Sequence, residues 1–431
     1  ILERASQECS QVEVFLVDAE NSPVHFEANA VKGMDSGESS GAALRVIVDG
    51  RVGFSSTTNL NDIDGLIEAA LETAPFGAQA HFEFPEASKY PEIVLSDPET
   101  DSVSLEEMTA LGQKIIEEVR SESSDAQVEG TVSKSRSAVT IVNSRGANAG
   151  YSRTRFGFGF EGTVIRGEDM LFTSDGISAI GPITDPMPVT SSIIRQLAWA
   201  RQTVPMEGGN MPAILMPTAV PSILLGPLLA GLNGKSVYQG TSPLVGRLGE
   251  RIVDERFSLT DDPIANAVPG SRPCDDEGIP SRQLPLIDSG YVANFFYDLQ
   301  TAGLAQTTST GSGERGLSSL PGPSTGVLMV GEGEGSLDDL IAFMKNGIIV
   351  ERLLGAGQGN VLGGDFNANI LLGYRVENGH VVGRVKDVMV AGNAYDALNS
   401  LVTVGGDGRW LGGGLYTPPI VLSQVAVSAK V

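Results

Sequence analysis

Ala43-Leu44-Arg45-Val46-Ile47-Val48-Asp49-Gly50-Arg51-Val52-Gly53-Phe54-Ser55 reads as two short strands folded about a tight turn. The apolar and β-branched residues before Asp49 suit an extended, half-buried chain. Asp49-Gly50 is a residue pair able to take positive φ, which a two-residue hairpin requires. Downstream the period changes. Leu60, Ile63, Leu66, Ile67, Ala70, Leu71 and Ala74 fall on one stripe, as in a helix packed by one face. Ser104 and Glu107 have capping-box spacing, and Leu105, Met108, Leu111, Ile115, Ile116 and Val119 supply the apolar face behind them.

Beyond Asp125 the pattern is again extended. Ala138 to Val142 leads into the turn Asn143-Ser144-Arg145-Gly146, and Tyr151 to Phe160 alternates as a strand with one polar face. A helix bearing Ile193, Ile194, Leu197 and Ala200 closes the region. The fold class is therefore α+β, with residues 1–205 forming an α/β domain of antiparallel sheet and helices. Residues 206–431 hold many short strand patterns and few long helices. Among them are Ser289 to Tyr297, Gly347 to Leu354, and Asn369 to Val376, which turns at Asn378-Gly379 and resumes at Val381. A mostly antiparallel, barrel-like or sandwich-like β domain is expected there.

Composition narrows the function. Gly supplies 53 of 431 residues, above the usual share of about 7%; without a G-X-Y period this indicates tight turns rather than collagen. The formal charge of −24 opposes direct binding to nucleic acid or to an anionic membrane. Cys9 and Cys274 are the only cysteines and lie far apart, so disulfides are not expected to carry the fold. Ile1-Leu2-Glu3-Arg4 does not open a signal sequence, and the cytoplasm is the expected compartment. Gly208 to Gly234 has no charged residue, but Pro212, Pro217, Pro221 and Pro227 interrupt it. It is read as a buried strand, a turn and a short core helix rather than a membrane span.

No self-sufficient active site is visible. His25, His81 and His380 are the only histidines, and no two share a helix face at metal-binding spacing. There is no G-x-S-x-G elbow. Cys274 precedes Asp275-Asp276-Glu277, whose charges would raise a thiol pKa. Gly355 to Asn360 and Gly331 to Gly335 are glycine-rich without a phosphate-loop pattern and read as turns. The acidic runs Asp261-Asp262, Asp275-Asp276-Glu277 and Asp338-Asp339 read as solvated surface. The loop Thr307 to Gly316 is the most suggestive segment. Its small residues, hydroxyls and single guanidinium suit an extended peptide or its carboxylate, with Ser309, Thr310, Gly311 and Arg315 as candidate contacts; a flexible surface loop is the competing reading.

Several segments, taken in order, resemble the TldD/PmbA family, also called the modulator of DNA gyrase or peptidase U62 family. They are Gly41 to Phe54, Pro280 to Asp298, Ser309-Thr310-Gly311, Gly363-Gly364-Asp365-Phe366 and Val390-Ala391-Gly392-Asn393. The resemblance implies a two-domain protein that works as a dimer. In its TldD branch an H-E-x-x-x-H helix and a late cysteine bind zinc. The TldE/PmbA branch lacks them and pairs with TldD in a cytoplasmic peptidase acting on unfolded or small peptides. Here Gly226, Pro227 and Gly231 stand where the motif's histidine, glutamate and second histidine would be, no cysteine falls between Gly405 and Pro419, and Tyr416 to Ile420 looks like the TldE/PmbA ending.

The resemblance thus implies a non-catalytic TldE/PmbA-like subunit without a cofactor of its own. Zinc is expected in a TldD-like partner, and Asp365 and Asn367 are further candidate peptide contacts or turn-formers. A homodimeric peptide-binding or scaffold protein is the alternative. A hydrolase built on carboxylates alone, through Asp365 or the Asp275–Asp276 pair, is the third reading.

Overall fold

The computed structural model describes residues 1–429. The chain begins with helix α1 (Leu2–Glu8) and then forms β1 (Val12–Glu27), β2 (Ala30–Met34), β3 (Gly37–Val48) and β4 (Arg51–Thr57). The expected hairpin joins β3 to β4: Val48 pairs with Arg51, and Asp49 and Gly50 take φ of 49° and 76°. Helix α2 (Ile63–Thr73) covers it with Leu66, Ile67 and Ala70. The approach is close enough that a Cβ on Gly53 would stand 2.1 Å from the Ala70 carbonyl oxygen. After α3 (Pro98–Ser102), α4 (Leu105–Glu122) starts at the Ser104–Glu107 capping box. Strands β5 (Gln127–Asn143), β6 (Asn148–Arg166) and β7 (Asp169–Ala179) follow, and α5 (Met187–Trp199) ends this half.

These strands make one antiparallel sheet in the order β4-β3-β1-β5-β6-β7, with β2 on the far half of β1. Along β6, Phe156, Phe158 and Phe160 are buried with Met108, Ile115 and Val119 of α4 and Ile193 and Leu197 of α5. Strand β1 has no counterpart in the sequence reading, and its Asp18 to Pro23 stretch is extended like the rest of it. It runs on because Pro23 falls between two partners: β3 pairs as far as Asn21, and β2 begins at Val24. A proline there removes no ladder donor from either pairing.

The second half is built on a closed ring of five strands. Strand β8 (Gly209–Leu215) pairs on one side with Ile420–Ala429 and on the other, in parallel, with Gly347–Leu354. Gly347–Leu354 pairs with Asp365–Glu377, that strand with Val388–Asn393, and Val388–Asn393 with Ile420–Ala429, which closes the barrel. Asn378 and Gly379 form the expected turn, with φ of 51° and 79°. The proline-interrupted stretch after Gly208 is β8, a π-helical turn at Pro221–Leu225 and helix α6 (Gly226–Leu232), all packed in the barrel-side core. No helix among the described residues is long and apolar enough to cross a membrane.

A buried ionic network joins the halves. Glu13 of β1 accepts from Arg45 of β3 at both carboxylate oxygens, at 3.0 and 2.7 Å, and from Arg315 Nη1 at 2.9 Å. Arg45 Nη1 donates to Glu277 Oε1 at 2.7 Å, and the other Glu277 oxygen accepts from the Leu299 amide at 2.7 Å. Phe82 and Phe84 cover the Arg45 guanidinium, and Phe15 and Phe54 that of Arg315. Burial alone would push Arg45 down, but Glu13 and then Glu277 outweigh it and hold the guanidinium charged.

Two expectations are corrected here. Asp275-Asp276-Glu277 is not a solvated surface run; all three are buried. Asp275 accepts from the amides of Glu277, Ile279 and Gly313, and Asp276 accepts from the amide of Arg315, so these oxygens hold loops together. Asp261 is likewise buried and accepts from the amides of Gly326 and Val327. Arg315, expected to meet a peptide, has its side chain inside the junction with no exposed surface.

Breaking a buried ion pair by removing one partner costs about 3–5 kcal/mol. Glu13→Ala leaves two buried guanidiniums short of their carboxylate and should lower the urea midpoint accordingly. Glu255→Ala, whose partner Arg251 is exposed, should change stability by less than about 0.5 kcal/mol. Equal small shifts for both variants would show that the network does not hold the halves together.

Candidate functional site

Helix α6 carries the positions at which the family resemblance points to metal chemistry. Leu224, Leu225, Leu228 and Leu232 fill the core around it, and Pro227 sits in its first turn, where a missing N–H costs little. Gly226, Pro227 and Gly231 offer no donor side chain. At Gly231 there is also no room for one, because a Cβ would stand 2.3 Å from the Tyr395 hydroxyl oxygen. Tyr395 lies in the first turn of the helix Ala394–Asn399. Its buried hydroxyl has no hydrogen-bond partner, and burial pushes the phenol up to about 12. Among the described residues no three His, Cys, Asp or Glu side chains come together as a metal cluster. The residues at this helix therefore do not fit zinc.

Tyr395 also links α6 to the predicted site residue Asp365. The Asn393 side-chain amide donates to the Gly363 carbonyl at 2.8 Å and to Asp365 Oδ1 at 3.1 Å, while its Oδ1 accepts from the Tyr395 amide at 3.0 Å. Asp365 and Asn367 are exposed and alternate with buried Phe366 and Ala368, so both point away from the barrel core. The sequence reading missed Tyr395, whose approach to Gly231 no local pattern reveals.

Ser309, Thr310 and Gly311 pack against Tyr297, just beyond the C-terminal end of α6. The Thr310 hydroxyl accepts from the Tyr297 amide at 2.8 Å, and the Ser309 hydroxyl donates to the Tyr297 carbonyl at 3.2 Å. Gly311 takes φ of 76°, and a Cβ there would press on the Pro280 carbonyl oxygen at 3.0 Å. Tyr297 in turn covers Gly234, where a Cβ would meet its ring at 2.2 Å. The loop's hydroxyls are thus engaged within the chain. Asp365 is thus linked through Asn393 and Tyr395 to Gly231, the Ser309–Gly311 loop reaches through Tyr297 to Gly234 just past α6, and Arg315 lies elsewhere, in the junction.

The cysteines carry no nucleophile. Both are buried. The Cys274 thiol is pushed up to about 12, first by burial and then by Asp275, which keeps it protonated and unreactive at neutral pH.

The close approach at Gly231 generates a coupled pair. Gly231→Ala should cost about 1–3 kcal/mol through overpacking. Tyr395→Phe, which removes an unpartnered hydroxyl, should cost far less. The double variant should regain most of the loss, because the oxygen is the obstructing atom. Additive costs in a double-mutant cycle by chemical denaturation would refute the steric account.

Comparison with known proteins agrees with this architecture. The chain matches PmbA/TldA metallopeptidase domain 1 over residues 12–74, the PmbA/TldA metallopeptidase central domain over 98–198 and the PmbA/TldA metallopeptidase C-terminal domain over 208–429. It is 25% identical over 407 residues to protein MJ0231 of Methanocaldococcus jannaschii, covering 93% of each chain. It is 25% identical over 426 residues to the metalloprotease PmbA of Escherichia coli O157:H7, covering 94% of this chain and 90% of that one. Its fold matches the crystal structure of TldE from Thermococcus kodakarensis with a TM-score of 0.92, at 24% identity and 99% coverage of both chains. Matched over most of its length by these three domains, the chain belongs to the PmbA/TldD family.

Proposed function

We propose that this chain is the metal-free, TldE/PmbA-like member of a two-chain zinc metallopeptidase that acts on unfolded or small peptides. The observation that carries the reading is α6: Gly226, Pro227 and Gly231 present no ligand and no general base, and Tyr395 fills the space a larger side chain at Gly231 would need. Zinc chemistry needs three protein donors with an open position and a base to activate water. In this reading a TldD-like partner supplies both. The role of this chain is to complete the enclosing chamber, contact the peptide and stabilise the catalytic subunit in the cytoplasm. The match to the metalloprotease PmbA, which runs along 94% of this chain, supports this assignment.

The buried state of Asp275 and Asp276 weighs against hydrolysis by carboxylates alone, since both Asp275 oxygens and one Asp276 oxygen accept from backbone amides and the other Asp276 oxygen faces Arg272. The test is reconstitution. The purified chain should carry no stoichiometric zinc by metal analysis and cleave no peptide. Mixed with an H-E-x-x-x-H chain from the same cell, it should give an activity that a chelator abolishes. Peptide cleavage by this chain alone, or one tightly held zinc per chain, would overturn the reading.

A further inference from the structure

We draw no further inference here: the strongest candidate, the outward face of the N-terminal sheet where Glu129 of β5 stands opposite Glu161 of β6 beneath a cavity of about 880 Å³, is an acidic cluster in which Lys32, His25 and Arg352 already face Glu27, Asp35 and Glu161, and nothing in the structure shows what covers it.

Discussion

The Glu13 carboxylate, shared between Arg45 and Arg315, is the interaction on which the arrangement of the two halves depends. Arg45 comes from the hairpin that organises the N-terminal sheet, and Arg315 from a loop of the barrel half. Glu277 closes the network from the same loops that Asp275 and Asp276 hold by their backbone amides. Desolvating so many charges is unfavourable unless each is paired, and the pairing is available only when sheet and barrel meet in one relation. The network therefore works as a geometric key: a misaligned junction would leave several buried charges unmatched at once.

That junction positions two regions of the structure. Helix α6 lies in the barrel-side core, and the outward face of the sheet meets the barrel rim at Thr218 and Arg352. Both use absence of side chains in a specific way. At Gly231 the space is taken by Tyr395. At Gly159 it is left open, since a Cβ there would meet nothing closer than 3.8 Å. The first offers no donor side chain, and the second leaves the face of the sheet open.

Much of this architecture was legible in the sequence because local chemistry decides it. Asp49-Gly50 and Asn378-Gly379 fix hairpins, Ser104 with Glu107 fixes a helix start, and Phe156, Phe158 and Phe160 mark a buried face. The barrel was legible only as a class, since closure depends on pairings between strands distant in sequence, such as β8 with Ile420–Ala429. Strand β1 went unread, and its Asp18 to Pro23 stretch is held extended by the strands that pair on either side. The acidic run at Asp275 and the arginine at 315 were misread for one reason. A charge looks like surface until its partner is known, and here the partners are Arg45, Glu13 and backbone amides from other segments. Tyr395 was invisible because only the folded barrel brings its hydroxyl to Gly231.

The central claim is that this chain contributes structure and peptide contacts to a metallopeptidase whose metal belongs to another chain. Native mass spectrometry of the assembly captured from its own cell tests it most directly, because gentle dissociation in the instrument shows which polypeptide keeps the metal. The account predicts an assembly of two different chains in which the zinc mass leaves with the partner and this chain emerges bare. An assembly of identical copies of this chain, or zinc retained on this chain after dissociation, would contradict it.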